Sequence, residues 1–302
     1  MLGDICGATA CDAVYSVTGP MDSMDNEDLA HSRFIILWRT NTAVTNVHLW
    51  SGPLMKARKA GATIVVVNPI KTPTAAHADQ HIQIRPGSDA ALALAMMHVI
   101  VRDDLHDKEF IEAHTLGFDQ LAVTVKEYPP QRAAEITGID ANVIEKLAHA
   151  YATSRPAGIR FLVGVERYSN GHVAVRAVSC LPGLINGWRE RGGGLSHFML
   201  NIFFDAFDYG VMLPSRDAPP RGRSANLAQL GKLLTDPEMD PPIKWMMVYN
   251  ANPVVTAANQ NRTIEGMKRE DLFSVGMNNF SQTRHSMRIL CCPRRPNLSI
   301  MN

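Results

Sequence analysis

Residues 34–67 read FIILWRTNTAVTNVHLWSGPLMKARKAGATIVVV, two apolar runs joined by a longer mixed stretch. Neither FIILW (34–38) nor TIVVV (63–67) alternates polar with apolar residues, so each reads as a strand covered on both faces. Between them, SGPLMKARKAGA reads as an amphipathic helix ending at Gly61. Strand, helix and strand in this order form a right-handed βαβ crossover. Working outward, HIQIR (81–85) is expected as a third strand, and PGSDAALALAMMHVIV as a buried helix with Ser88 at its N-cap and Asp89 in its first turn. Helices are expected at 107–114, 118–127 and 140–153, the last capped by Asp140. After SRPAG the alternation resumes: IRFLVG (159–164) as strand, HVAVRAVSCLPGLING as helix, KWMMVYN (244–250) as strand. The fold class is therefore α/β, with two doubly wound, mostly parallel sheet units and helices on both faces. The expected division is 1–154, 155–275 and a tail at 276–302. No repeat of solenoid period is present.

The 302 residues are 46% hydrophobic and 20% charged, an ordinary globular composition with length for two domains. With 30 basic and 29 acidic residues the net charge is +1, so no overall field favours nucleic acid or an anionic membrane. The longest apolar run, ALALAMMHVIV (91–101), is shorter than the roughly 20 residues that span a bilayer, and neither a membrane span nor a signal peptide is expected. Cysteines at 6, 11, 180, 291 and 292 form no CxxC pair. That usage points to a reducing, cytoplasmic setting and away from a zinc or iron–sulfur site built by this chain alone.

In open α/β sheets ligands sit beyond the carboxyl ends of the strands, where backbone N–H groups and helix N-termini face outward. Those ends carry Arg39-Thr40-Asn41, then Asn68-Pro69-Ile70-Lys71-Thr72, then Pro86-Gly87-Ser88-Asp89. Gly164 closes the fourth strand ahead of Glu166-Arg167-Tyr168-Ser169-Asn170-Gly171, and Asn250 closes the fifth ahead of Ala251-Asn252-Pro253. Any one of these is ordinary turn chemistry. Five in one register point to a large nucleotide-like ligand spread over two domains. No GxGxxG follows a strand and no GxxxxGK[ST] occurs, which removes the main support for NAD-type and P-loop readings.

Three stretches, LAHSRFIILWRTNTAVTNVHLW, ARKAGATIVVVNPIKTPTAAHADQHIQIRPGSDAALALAMMHVI and VYNANPVVTAANQN, closely resemble catalytic subunits of molybdopterin oxidoreductases, the group that includes formate dehydrogenases and nitrate reductases. The resemblance runs in consistent order from about residue 3 to 275. It implies a molybdenum or tungsten ion held by two molybdopterin guanine dinucleotides, cradled by the turns above, with electrons leaving through an iron–sulfur cluster to a partner subunit or iron–sulfur protein. It also implies one protein ligand to the metal at the head of a helix before the first strand. Cys6 of DICGATA matches that position, and a thiolate at a helix N-terminus is a soft donor with a lowered pKa. Cys11 falls on another face of that helix and is expected to pack in the core. Arg167 and Asn170 are candidates for substrate or cofactor contact, Arg167 with a surface ion pair as its competing use. The triplet Gly192-Gly193-Gly194 reads as a tight backbone passage, which the resemblance puts near the cofactor.

The departures matter as much. Gly7 follows Cys6 where formate dehydrogenases carry a histidine, Arg39 stands for a usual glycine, and Asn68 for a usual acid. Lys71 still offers a point charge to a pyrophosphate. His48, His77, His81, His98 and His172 are scattered, as structural histidines are. The family's N-terminal cluster-binding domain and C-terminal dinucleotide-binding domain have no counterpart here, so the sequence reads as a fragment. From Gly276 the family pattern stops, and a two-base shift of permitted codons restores it, which reads as a frameshift leaving a poorly packed tail. The leading expectation is the cofactor-binding core of a two-electron oxidoreductase acting on a small substrate. Its competitors are a metal-free structural or electron-wiring subunit, as in the large subunit of complex I, and a self-sufficient nucleotide-binding module.

Overall fold

Strand β1 (Phe34–Trp38) is buried along its whole length and pairs in parallel with β2 (Thr63–Val67) on one side and β4 (Ala157–Phe161) on the other. The structure, a computed structural model, describes residues 6–19, 23–197, 207–208, 225–278 and 289–293. Adding β3 (Gln80–Ile82) and β5 (Gly194–Ser196) gives a five-stranded parallel sheet in the order β3-β2-β1-β4-β5. The order turns back at β1, so the crevice between the carboxyl ends of β1 and β4 is a topological switch point.

Alternate residues of the central strands enter two separate cores, which is why the runs do not alternate in polarity. Phe34, Ile36, Trp38, Val65 and Phe161 pack against α1 (Ala8–Thr18), α2 (Asp89–Arg102), α3 (Ala141–Thr153) and α4 (Gly171–Leu184). Ile35, Leu37, Ile64 and Val66 pack on Leu29, Leu49, Leu54 and Ala57 on the other face. Asp140 caps α3 by accepting from Asn142 N at 2.8 Å, as the sequence suggests.

Several boundaries differ from the sequence reading. The helix expected before Gly61 opens as a wide turn over Trp50–Leu54, because Pro53 donates no hydrogen bond, and becomes regular only at Met55–Lys59. Strand β3 ends at Ile82, since Arg85 N donates instead to Thr137 O at 2.9 Å. Strand β4 starts at Ala157 and ends at Phe161, after which Val165 N and Glu166 N turn back onto Leu162 and Val163 carbonyls. An additional helix, Pro130–Thr137, begins on a proline at its first position, where the missing N–H is no loss. The division read at 154/155 falls inside the sheet: β4 pairs with β1, so chain after Ala157 continues the first unit. The structure divides into Gly7–Ser215 and a second unit of Met1–Cys6 with Arg216–Asn302.

The second unit holds a parallel sheet in the order β6 (Trp245–Tyr249), β7 (Phe273–Asn278), β8 (Ile289–Pro293). One face is covered by α5 (Leu230–Thr235) and α6 (Gln260–Met267) through Leu230, Leu234, Met246, Val248 and Met267. These helices approach closely because Gly231 and Gly266 present no Cβ where Thr263 and Leu234 lie. The other face leaves Trp245, Met247, Tyr249 and Phe273 about half exposed. The break expected at residue 276 falls within β7, and Ile289–Pro293 pairs with β7; the rest of the expected tail, 279–288 and 294–302, lies outside the described residues. Among the described residues no helix is long and apolar enough to cross a membrane.

Candidate functional site

Beyond β1 the backbone of Arg39 turns left-handed, φ 55°, and its side chain folds inward. Its Nε lies 3.2 Å from Asp89 Oδ1, with both side chains almost fully buried, and its guanidinium covers the Tyr168 ring at 4.8 Å. Asp89, in the first turn of α2, also accepts a hydrogen bond from Trp38 Nε1 at 2.9 Å. Burial pushes the Asp89 carboxyl up, opposed by the adjacent Arg39 charge and the Trp38 hydrogen bond. Arg39 Nη2 and Asp89 Oδ2 are buried with no hydrogen-bond partner among the described residues. Two of the sequence candidates are thus engaged with each other in the interior rather than facing outward.

The loop after β4 lies on this pair. A Cβ at Gly164 would collide with the Arg39 carbonyl oxygen, so only glycine permits that approach. Farther along, Asn170 Nδ2 donates to Gly87 O at 2.8 Å, and Gly87, φ 79°, faces the Tyr168 ring.

Other candidates at this edge are used locally. Asn41 Oδ1 accepts from Thr74 Oγ1 at 2.9 Å, Thr40 and Thr42 hydroxyls meet at 3.1 Å, and Thr72 Oγ1 caps Ala75 N. Ser88 occupies the N-cap position but donates to Arg85 O at 2.7 Å instead of capping α2. The carbonyls of Asn68 and Pro69 accept from His81 Nε2 and Gln83 Nε2, both at 2.9 Å. Lys71, Pro86 and Arg167 are exposed.

Cys6 is an exposed thiol directly ahead of α1, whose N-cap, Gly7, has no side chain to cap with. The cap comes from afar: Ala10 N donates to Glu166 Oε2 at 2.7 Å. Between α1 and α4, His172 Nε2 is 3.2 Å from Asp12 Oδ2. Cys11 is half-buried. In the second unit, Asn250 takes φ 47° at the end of β6, and Asn252 Oδ1 is buried with no partner among the described residues. Four of the five turns therefore share the carboxyl edge of one sheet, and the fifth occupies the corresponding edge of the other.

Gly192-Gly193-Gly194 is a tight passage, as expected, since a Cβ would strike His31 backbone, Gly187 O or the Trp188 ring. It enters β5 beside Gly158, at the amino end of the sheet, so it lies away from the candidate edge. Scattered histidines serve the fold: His98 Nδ1 meets Val125 O at 2.9 Å, and His149 joins Asp103. Asp103, Glu145 and His149 cluster closely enough for a metal, but Arg102 bonds Asp103 and Glu145, both at 2.7 Å, making an ion-pair network. Glu166 and Tyr168 went unselected in the sequence. The signal for Glu166 is indirect, a helix head without a local cap.

The profile of the molybdopterin oxidoreductase family matches residues 3–285. The chain belongs to the molybdopterin oxidoreductase family. Among its relatives, probable oxidoreductase YoaE of Bacillus subtilis is 36% identical, the match covering 90% of this chain and 39% of that protein. The F420-dependent formate dehydrogenase subunit alpha of Methanocaldococcus jannaschii is 32% identical over 90% of this chain and 42% of its own length. The solved acetylene hydratase from Pelobacter acetylenicus shares the fold, with a TM-score of 0.71 at 23% identity, covering 92% of this chain and 42% of that one. The chain thus spans about two fifths of the length of these relatives.

Proposed function

We propose that this chain is the cofactor-binding core of a molybdenum or tungsten oxidoreductase carrying two molybdopterin guanine dinucleotides, with Cys6 as the protein ligand to the metal. The observation that carries the reading is an exposed thiol at the head of a helix whose first turn is tied to the loop at the β1/β4 switch point. The donor set fits such a group: a soft sulfur for the metal, exposed Lys71 for a diphosphate, and Arg39 Nη2, buried with no hydrogen-bond partner among the described residues. Thr40, Asn41, Asn68, Pro69, Thr72, Pro86, Gly87, Ser88, Gly164, Asn170 and Asn250 would line the dinucleotides through backbone groups, since their side chains mostly secure the turns. Arg167 would meet the substrate. The bound metal would supply two-electron chemistry, and this chain would supply ligation, orientation and exclusion of water.

Formate is disfavoured as substrate by Gly7 at the position after Cys6. The relatives include a formate dehydrogenase and a hydratase by name, so membership alone selects no reaction. The iron–sulfur cluster, the electron-transfer partner and the closing domain belong to sequence beyond this core, and the core alone is expected to be inactive. The cysteine usage favours the cytoplasm. Residues 276–302 are read as altered by a frameshift, which sequencing the locus tests.

A second reading, a metal-free structural or electron-wiring subunit, is favoured by the Arg39–Asp89 pair that fills the end of β1. Anaerobic metal and pterin analysis of the full-length protein decides between them. About one molybdenum or tungsten per chain, lost in Cys6→Ala, is the expected outcome; metal and pterin both absent would establish the second reading.

A further inference from the structure

We infer that Glu166 is a positioning residue that sets where α1 begins and so how Cys6 is presented; this rests on the reading of Cys6 as metal ligand. A helix leaves its first four N–H groups without intrahelical partners. Helix α1 has no side chain at its N-cap and no acidic residue in its first turn. Glu166 meets that need from 156 positions away: it is 8% exposed, and its Oε2 takes the Ala10 N–H at 2.7 Å. A carboxylate there forms a charge-assisted bond and complements the positive end of the helix.

The loop that carries Glu166 is itself held at both ends. Gly164 rests on the Arg39 carbonyl, and a Cβ at Gly171 would meet the Glu166 backbone at 2.5 Å, so neither end can accept a larger residue without rebuilding. Gly171 opens α4, which packs against α1 in one core, and the Asp12–His172 contact adds a second tie between the two helices. Displacement at the switch point is therefore transmitted to the turn that follows Cys6. Ala10 lies one helical turn beyond Cys6, so the bond is close enough to fix the presentation of the thiol without using it.

The test compares Glu166→Ala and Glu166→Gln in the full-length polypeptide. The glutamine keeps an acceptor oxygen at the same reach. Amide hydrogen exchange at residues 8–12 is expected to rise about tenfold in the alanine variant, the effect of losing a bond to a charged group, and to stay within about threefold of wild type in the glutamine variant. Exchange in α2 monitors global folding. Metal per chain is expected to fall in Glu166→Ala and to be retained in Glu166→Gln. Unchanged exchange at 8–12 in Glu166→Ala overturns the inference, as does equal metal loss in both variants with the glutamine helix intact. Cys6→Ala separates the two ideas: if it keeps metal with an unaltered sulfur ligand set by X-ray absorption, the ligand reading fails, while the exchange result still decides whether Glu166 anchors the helix.

Discussion

Arg39 shows how a single residue departs from what its position promises. At a strand end an arginine reads as an anion contact, yet here it is turned inward by a left-handed backbone and neutralised by Asp89. The sequence contained both residues but not their pairing, because 50 positions separate them and only the sheet order brings α2 to the end of β1. Removing one member of a buried pair leaves an uncompensated charge and costs about 3 kcal/mol, whereas removing both costs less. Urea denaturation should therefore give Arg39→Leu and Asp89→Leu each a larger loss than the double variant. His197 gives a pH-dependent case. Stacked on Phe161 at a centroid distance of 4.4 Å, it has its pKa lowered from 6.5 to about 3 by burial and then by Arg160. Below pH 6.5 the unfolded chain binds a proton that the folded chain refuses, so stability falls as pH drops from 6.5 towards 3. One unit below 6.5 the loss approaches about 1.4 kcal/mol. Denaturation midpoints at pH 7.5 and 5.5 should reveal that slope in wild type and its reduction in His197→Gln. Asp103 acts in the same direction at lower pH: Arg102 holds its carboxyl down near about 2, so its contribution is lost as pH falls from 3.8 towards that value.

Elements were the most legible scale. Continuous burial of β1, and of β2 from Ile64 to Val67, follows from two cores, one on each face, and an unalternating run is the sequence form of that arrangement. Ends were less legible. Strand β4 stops at Phe161 although Leu162 and Val163 remain apolar, because the chain must turn to bring Gly164 onto Arg39. Helix Pro130–Thr137 escaped notice since its paired prolines resemble a breaker. A glycine in the loop after β4 and one inside α4 should respond oppositely to alanine. Gly164→Ala forces the loop from the Arg39 carbonyl and is expected to lose about 1–3 kcal/mol. Gly183, inside α4 with nothing within 4 Å of a new Cβ, should gain about 0.5–1 kcal/mol in Gly183→Ala. Thermal denaturation of the two variants side by side reads both signs.

At the scale of the whole molecule, the sequence conveyed two parallel units but set their border at 154/155. A strand signal carries no partner: β4 resembles the start of a new domain until its pairing with β1 is known. The carboxyl-edge rule collected loops that the fold does bring to the carboxyl ends of its parallel strands, while the local use of individual side chains escaped it, because Asn41, Thr72 and Ser88 spend theirs on bonds that any turn would make. Unsupported by a local cap, the head of α1 could be understood only after Glu166 was found beside it.

The half-exposed row of Trp245, Met247, Tyr249 and Phe273 has a consequence for handling. Apolar ground of that kind is adhesive. Expressed alone, the chain should bind anilinonaphthalene dyes and grow turbid as it is concentrated, and Met247→Lys with Tyr249→Lys should clear the solution while circular dichroism stays unchanged.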